Sequence, residues 1–325
     1  MISAPDALAG WEHRDAVVNG VRLHYVEAGS GPLVLLLHGF PEFWYSWRHQ
    51  IPALAAAGFH VLAPDLRGYN LSDKPSGVPA YRLEILLEDV VGLIRHAGEE
   101  KAIIVGHDWG GVLAWHLAMY HPQVVEKLIV LNAPHPAAYW RELRSWEQLR
   151  KSWYVLFFQV PGLPEQLLGA GDYDALDRML RRKPVHPEAF TAEDVRLYKQ
   201  ALSRPGALTA ALNYYRALRY PDKRTAQDTA PIRVPTLLLW GEQDSYLSPR
   251  LTEGLGRWVP DLRVVRFPDA SHFVQNDVPE RVNRLMIDFL RGQSVPRLEP
   301  SAYSPGYAHA QTSEPQVTRQ LLGST

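Results

Sequence analysis

One hexapeptide constrains this chain more than any other stretch: Gly106-His107-Asp108-Trp109-Gly110-Gly111. The apolar run Ala102-Ile103-Ile104-Val105 precedes it, and the helix-compatible run from Val112 to Met119 follows. A short, wholly apolar run reads as a strand buried on both faces. The chain must then turn from strand into helix within a few residues, and glycines on both sides of Asp108 permit so sharp a turn. A sequence built on this junction belongs to the α/β class, with helices packed on a mostly parallel sheet. By itself a Gly-x-Asp-x-Gly turn is as well explained by backbone geometry as by chemistry.

The same alternation recurs along the chain. Leu33–Leu37, Phe59–Ala63, Lys127–Leu131, Thr236–Trp240 and Leu262–Phe267 read as further buried strands, with helical patterns at Leu83–Ala97 and Val112–Tyr120 between them. Trp11–Val18 and Val21–Glu27 flank Asn19-Gly20, a strong hairpin signal, so the sheet begins antiparallel. Between Pro134 and about Pro231 the strand signals stop. Tyr154–Gln159, Tyr173–Leu180, Ala192–Ala201 and Leu208–Tyr220 are helical in texture there, and strand–helix alternation resumes at Ile232.

The simplest organisation is a core (1–133 and 231–292) interrupted by a helical cap (134–230). The cap lies over the carboxyl ends of the strands, where open α/β sheets bind ligands. Residues 293–325, rich in Pro, Ser, Gln and Gly, read as a disordered tail.

Composition excludes several classes. The 325 residues carry a formal net charge of -1, which favours neither nucleic acid nor an anionic membrane. There is no cysteine, hence no disulfide, thiolate metal site or cysteine nucleophile. Met1–Asp6 shows no basic-then-apolar leader, and no apolar run reaches the roughly 18 residues of a membrane span. A cytoplasmic protein is the expectation. The histidines show no metal-ligand spacing, and neither a phosphate-binding loop nor a dinucleotide fingerprint is present, so no metal and no cofactor are expected. A homodimer is compatible with the sequence.

Asp108 gains meaning from two later residues. Asp244 follows the strand Thr236–Trp240 and His272 follows Leu262–Phe267, so all three lie just past strand ends on one edge of the sheet. Nucleophile, acid, histidine is the chain order of the α/β-hydrolases, whose nucleophile sits on such an elbow. There the usual residue is serine. A carboxylate instead suits attack on an electrophilic sp3 carbon, giving an alkyl ester that water must cleave. His272 would activate that water and Asp244 would orient His272, with Glu242 as the rival acid. Leu37-His38-Gly39-Phe40-Pro41, again past a strand, supplies an early loop. The backbone N–H groups of Phe40 and Trp109 would form an oxyanion hole.

His38–Arg48 (HGFPEFWYSWR), the hexapeptide around Asp108 and Asp65-Leu66-Arg67-Gly68-Tyr69 together resemble the epoxide hydrolases of the α/β-hydrolase superfamily, the soluble type in particular. The resemblance runs over about residues 11 to 291. It implies the α/β-hydrolase fold, with a mostly parallel central sheet, an antiparallel N-terminal hairpin and a helical cap. It also implies two cap tyrosines that protonate the leaving oxygen. Tyr154, in Tyr154-Val155-Leu156-Phe157-Phe158, matches the first. Tyr215, in Asn213-Tyr214-Tyr215-Arg216, matches the second, with Tyr214 as the competing neighbour. The expected substrate is a small-molecule epoxide, and the product a vicinal diol.

A haloalkane or haloacid dehalogenase would share Asp108, His272, Asp244 and Trp109 but needs no acid for its leaving halide. A binding protein without turnover would need none of this set. Phe43, Trp109, Trp153 and Phe158 are candidate substrate-cavity residues, although aromatic side chains of this kind serve equally as core.

Overall fold

The computed structural model describes residues 11–220 and 230–295. The expected absence of a leader at 1–6, the cap residues 221–229 and the tail from 296 onward lie outside the described residues. Among the described residues one sheet holds β1 (Glu12–Val18), β2 (Val21–Ala28), β3 (Leu33–Leu37), β4 (His60–Pro64), β5 (Ala102–His107), β6 (Val125–Leu131), β7 (Thr236–Gly241) and β8 (Leu262–Phe267). Their spatial order is β1-β2-β4-β3-β5-β6-β7-β8. β2 pairs antiparallel with β1 and β4, and every other neighbouring pair is parallel.

The hairpin turn has the backbone its sequence asks for. Asn19 and Gly20 take φ of 47° and 74°, the two positive values a type I′ turn requires. β3, β5 and β7 are buried at every residue, as their unbroken apolar sequences demand. β1 is the sheet's edge, where Glu12, Arg14 and Asp15 discourage further strand pairing.

The helices are α1 (Gln50–Ala56), α2 (Leu83–His96), α3 (Trp109–Tyr120), α4 (Pro136–Glu142), α5 (Trp146–Lys151), α6 (Trp153–Phe157), α7 (Leu163–Arg182), α8 (Ala192–Leu202), α9 (Ala207–Ala217), α10 (Val274–Asp277) and α11 (Pro279–Leu290). α3 packs on β3, β5 and β6 beside α2, while α1 and α11 pack against each other and the sheet. The insertion between β6 and β7 supplies α4 to α9.

Two boundaries differ from the sequence reading for physical reasons. α3 begins at Trp109 rather than Val112, because Gly110 and Gly111 lie inside the helix and not in the turn. A β-carbon on Gly110 would collide with the Leu37 carbonyl oxygen, and one on Gly111 with the Ala133 β-carbon. Close packing, which outweighs glycine's poor helix propensity, puts them there. α7 starts ten residues before the expected Tyr173. Its backbone leaves helical geometry from Ala170 to Tyr173, so only its second half showed clear periodicity.

Candidate active site

Asp108 sits at the carboxyl end of β5 with φ 49° and ψ -118°, a conformation that non-glycine residues avoid. Such strain costs about 1–3 kcal/mol and persists only where the surroundings fix it. Here β5 and α3 fix both flanks. A β-carbon on Gly106 would strike the Gly110 carbonyl oxygen, and one on Gly39 would strike the Asp108 side chain. The glycines of both motifs therefore let three backbone segments converge on one carboxylate.

The loop after β3 reaches the same point. The Phe40 N–H donates to Asp108 Oδ1 at 2.8 Å, and the Phe40-Pro41 peptide bond is cis. Trp109 is the first residue of α3, and N–H groups of a helix's first turn have no partner within the helix. Oδ1 is thus held by a donor while Oδ2 faces His272, whose Nε2 stands 3.6 Å away.

His272 and Asp244 come together as the strand order implies. His272 Nδ1 lies 2.7 Å from Asp244 Oδ2. Burial pushes the His272 pKa down, but Asp244 and Asp108 outweigh it and raise it to about 10. Burial likewise pushes Asp244 up. The His272 charge, its hydrogen bond and the Tyr246 N–H overcome that and hold the carboxyl below its ordinary range. Glu242, the rival acid, lies instead beside Arg266.

Sequence reasoning missed several residues that brace this group. Asn132, just past β6, donates to Asp244 Oδ2 at 2.8 Å and exchanges hydrogen bonds with the Gly241 backbone. His107, next to Asp108 in the chain, bridges Glu42 (Nδ1, 2.7 Å) and the His272 carbonyl oxygen (Nε2, 2.8 Å). Burial raises the Glu42 pKa, yet His107, Ser46 and the Gly39 N–H bring it down to about 2. Gln148 and Lys151 of α5 bond to the backbone of residues 244–248. Position one past a strand was the only signal for Asn132, and Glu42 lay inside a motif already singled out.

Above the carboxylate, the insertion brings Tyr154 and Tyr215 together, with ring centroids 5.9 Å apart. Tyr215 also meets Trp109, Phe40 and Phe158 at 5.1, 5.6 and 4.9 Å. Burial first, and then the Asp108 charge, raise both phenols well above their ordinary pKa. Tyr214 turns elsewhere, its hydroxyl donating to the Arg67 carbonyl oxygen at 2.8 Å. Arg216 forks onto Glu165 and onto the carbonyl oxygens of Phe158 and Val160. It thereby ties the helix of Tyr215 to the segment that follows Tyr154.

Of the four candidate cavity residues, Trp109 and Phe158 join this group. The structure moves the other two away from it. Phe43 is packed in a buried cluster with Trp44, Tyr45 and Tyr198. Trp153 is 63% exposed on the outer side of α6, where it meets Phe157. One residue along a helix turns a side chain by about 100°, so Tyr154 faces inward while Trp153 does not. Tyr246, which the sequence reading passed over, packs its ring 5.2 Å from His272 and 5.7 Å from Tyr154. Among the described residues no three His, Asp or Glu side chains are grouped so as to hold a metal ion. None of the described helices is long and apolar enough to cross a membrane.

An aspartate on a strained elbow, a histidine–aspartate pair behind it and two protonated phenols above it can perform nucleophilic substitution at carbon with acid assistance. Comparison with known proteins places the fold in a family. A family profile for the alpha/beta hydrolase fold matches residues 32–279. The chain is 45% identical over 280 residues to AB hydrolase superfamily protein YfhM of Bacillus subtilis (strain 168), spanning 85% of this chain and 96% of that protein. It is 43% identical over 283 residues to Epoxide hydrolase 3 of Xenopus tropicalis, spanning 84% and 76% respectively.

Among solved structures, a Bacillus megaterium epoxide hydrolase bound to an inhibitor matches with a TM-score of 0.78 and 35% identity. That match covers 86% of this chain and all 100% of the other. An epoxide hydrolase from Vigna radiata matches with a TM-score of 0.79 and 31% identity, over 88% and 99%. The chain belongs to the α/β-hydrolase family. Within it, the chain falls among the relatives that bear the name epoxide hydrolase.

Proposed function

We propose that this protein opens epoxides to vicinal diols through an ester on Asp108, with the insertion at 134–230 serving as a cap that carries the acids. The observation that carries this reading is the pairing of Tyr154 and Tyr215 over a carboxylate nucleophile. An alkoxide is a poor leaving group and needs a proton as the ring opens; a halide does not. General-acid assistance of this kind is typically worth about 10²–10⁴-fold.

In the first step Asp108 Oδ2 attacks an epoxide carbon, since Oδ1 is engaged by the Phe40 N–H. The C–O bond breaks, and the oxygen takes a proton from Tyr154 or Tyr215. Esterification removes the Asp108 charge, one of the two carboxylates that keep His272 protonated. The imidazolium then gives up its proton, which restores the phenol. Neutral His272, oriented by Asp244, takes a proton from water, and hydroxide adds to the ester carbon. Negative charge collects on Oδ1, where the Phe40 and Trp109 N–H groups stabilise it. Collapse breaks the bond from the ester carbon to Oδ2, which leaves with the diol and takes the proton held by His272. The acid proton left on Asp108 passes to His272, restoring the carboxylate and the imidazolium.

Incubating purified protein with matched epoxides and chloroalkanes of graded size tests the assignment. Diol formation without halide release is expected. Halide release without diol from any epoxide sinks it in favour of dehalogenation, and tight epoxide binding without turnover sinks it in favour of a binding protein.

A further inference from the structure

α5 has six residues, and the one it buries completely is an amide, Gln148. A leucine there would contribute packing alone, whereas a buried amide is costly unless its donors and acceptor are met. Those of Gln148 are met from two directions. Oε1 accepts from the Ser248 N–H at 2.9 Å, while Nε2 donates to the Tyr246 carbonyl oxygen at 3.0 Å and to Ser152 Oγ at 2.9 Å. Residues 246 and 248 thus meet the side-chain amide much as they would meet the backbone of a parallel neighbouring strand. Every donor of the amide is used, and such a group fixes geometry more than it adds stability.

The two directions lead to two different parts of the site. On one side is the loop after β7, which sets the orientation of Asp244. Asp244 Oδ1 accepts from the Tyr246 and Leu247 N–H groups at 2.7 and 3.0 Å, and Oδ2 faces His272. On the other side is Ser152, at the joint between α5 and α6 and two residues before Tyr154. Its hydroxyl also accepts from the Tyr139 hydroxyl at 3.1 Å. Lys151, three residues along the same face of α5, adds Nζ contacts to the carbonyl oxygens of Asp244 and Leu247 at 2.6 and 3.3 Å.

We propose that Gln148 is a positioning residue that fastens the helix of Tyr154 to the loop of Asp244, so that the insertion must be seated for Asp244 to align His272. Asn132 holds the Asp244 carboxylate from the core, and Gln148 holds the loop's backbone from the insertion. The fastening stands on these hydrogen bonds alone. Its effect on turnover rests on the function proposed above, where Tyr154 serves the first step and Asp244 the second.

Gln148→Leu removes the amide and changes no charge. His272 is faced by the carboxylates of Asp244 and Asp108, by the His107 ring at 4.8 Å and by the Tyr246 ring at 5.2 Å, and the substitution alters none of them. A change in how His272 titrates therefore reports where Asp244 stands. NMR titration of the His272 imidazole in the resting full-length protein, assigned with H272Q, reads this without substrate. The midpoint in Q148L is expected about one pH unit below wild type, since an opposite charge in contact is worth about 1–3 units. Ser152→Ala removes only the anchor beside the Tyr154 helix; it should shift the midpoint the same way by less, and it decides the matter if Q148L does not fold. In single turnovers of epoxide by Q148L, ester hydrolysis should slow about 10–10²-fold, the scale of a misplaced catalytic group, and alkylation much less, because Tyr215 still supplies acid. An unchanged midpoint in either folded variant overturns the proposal. So does a shifted midpoint with both steps slowed equally, which is a general loosening of the site. A shifted midpoint in a protein that turns over no epoxide upholds the fastening and refutes the proposed function instead.

Discussion

Nε2 of His272 stands 3.6 Å from Oδ2 of Asp108, too long for a good hydrogen bond and close enough for strong charge coupling. That spacing leaves Oδ2 uncommitted for attack while the carboxylate still stabilises the imidazolium. It makes the protonation of His272 depend on whether Asp108 carries charge, which is what the proposed ester mechanism needs to order its two steps.

The coupling has a consequence for stability. The His272 pKa rises from 6.5 to about 10 on folding, against burial and because of Asp244 and Asp108. A pKa raised by folding stabilises fully below the unfolded value and less as pH climbs through the folded one. Denaturant midpoints should therefore fall between about pH 6.5 and 10 in the wild type. The same titration of His272→Gln should lack this component. Parallel curves for the two proteins would mean that His272 is not held as an imidazolium.

The phenols should act jointly. Tyr154→Phe or Tyr215→Phe should lower the rate of Asp108 alkylation by about 10–10²-fold, and the double variant by about 10²–10⁴-fold, the usual span of general-acid catalysis. Stopped-flow quenching of tryptophan fluorescence on mixing with epoxide reads this step. Near-normal alkylation by the double variant would move the proton donor elsewhere.

The elbow should tolerate no β-carbon. Gly110→Ala places one against the Leu37 carbonyl oxygen, and overpacking of this kind costs about 1–3 kcal/mol. Equilibrium unfolding in urea should show that loss, whereas Gly98→Ala tests only a positive φ, since Gly98 has open space around it. Equal stability of Gly110→Ala and wild type would contradict the close approach of α3 and β3.

The fold was largely legible because buried parallel strands are written as unbroken apolar runs and the hairpin as Asn19-Gly20. Asp108, Asp244 and His272 were legible as residues just past strand ends. What stayed hidden depends on contacts distant in sequence. Asn132 meets Asp244 across 112 residues, and His107 meets Glu42 across 65. No local pattern reports such pairs. The start of α3 was misread because glycine near a turn looks like turn when packing has recruited it into helix. Trp153 was placed in the cavity because composition says which side chains are aromatic, and only helical phase says which way each one faces.

The covalent role of Asp108 is the centre of the account, and one turnover in oxygen-18 water tests it most directly. Enzyme in excess over epoxide should give unlabelled diol, and mass spectrometry of the peptide containing Asp108 should find the heavy oxygen in its carboxylate. Label appearing in the diol during that first turnover, with Asp108 unlabelled, would contradict the ester intermediate and make Asp108 a base acting on water.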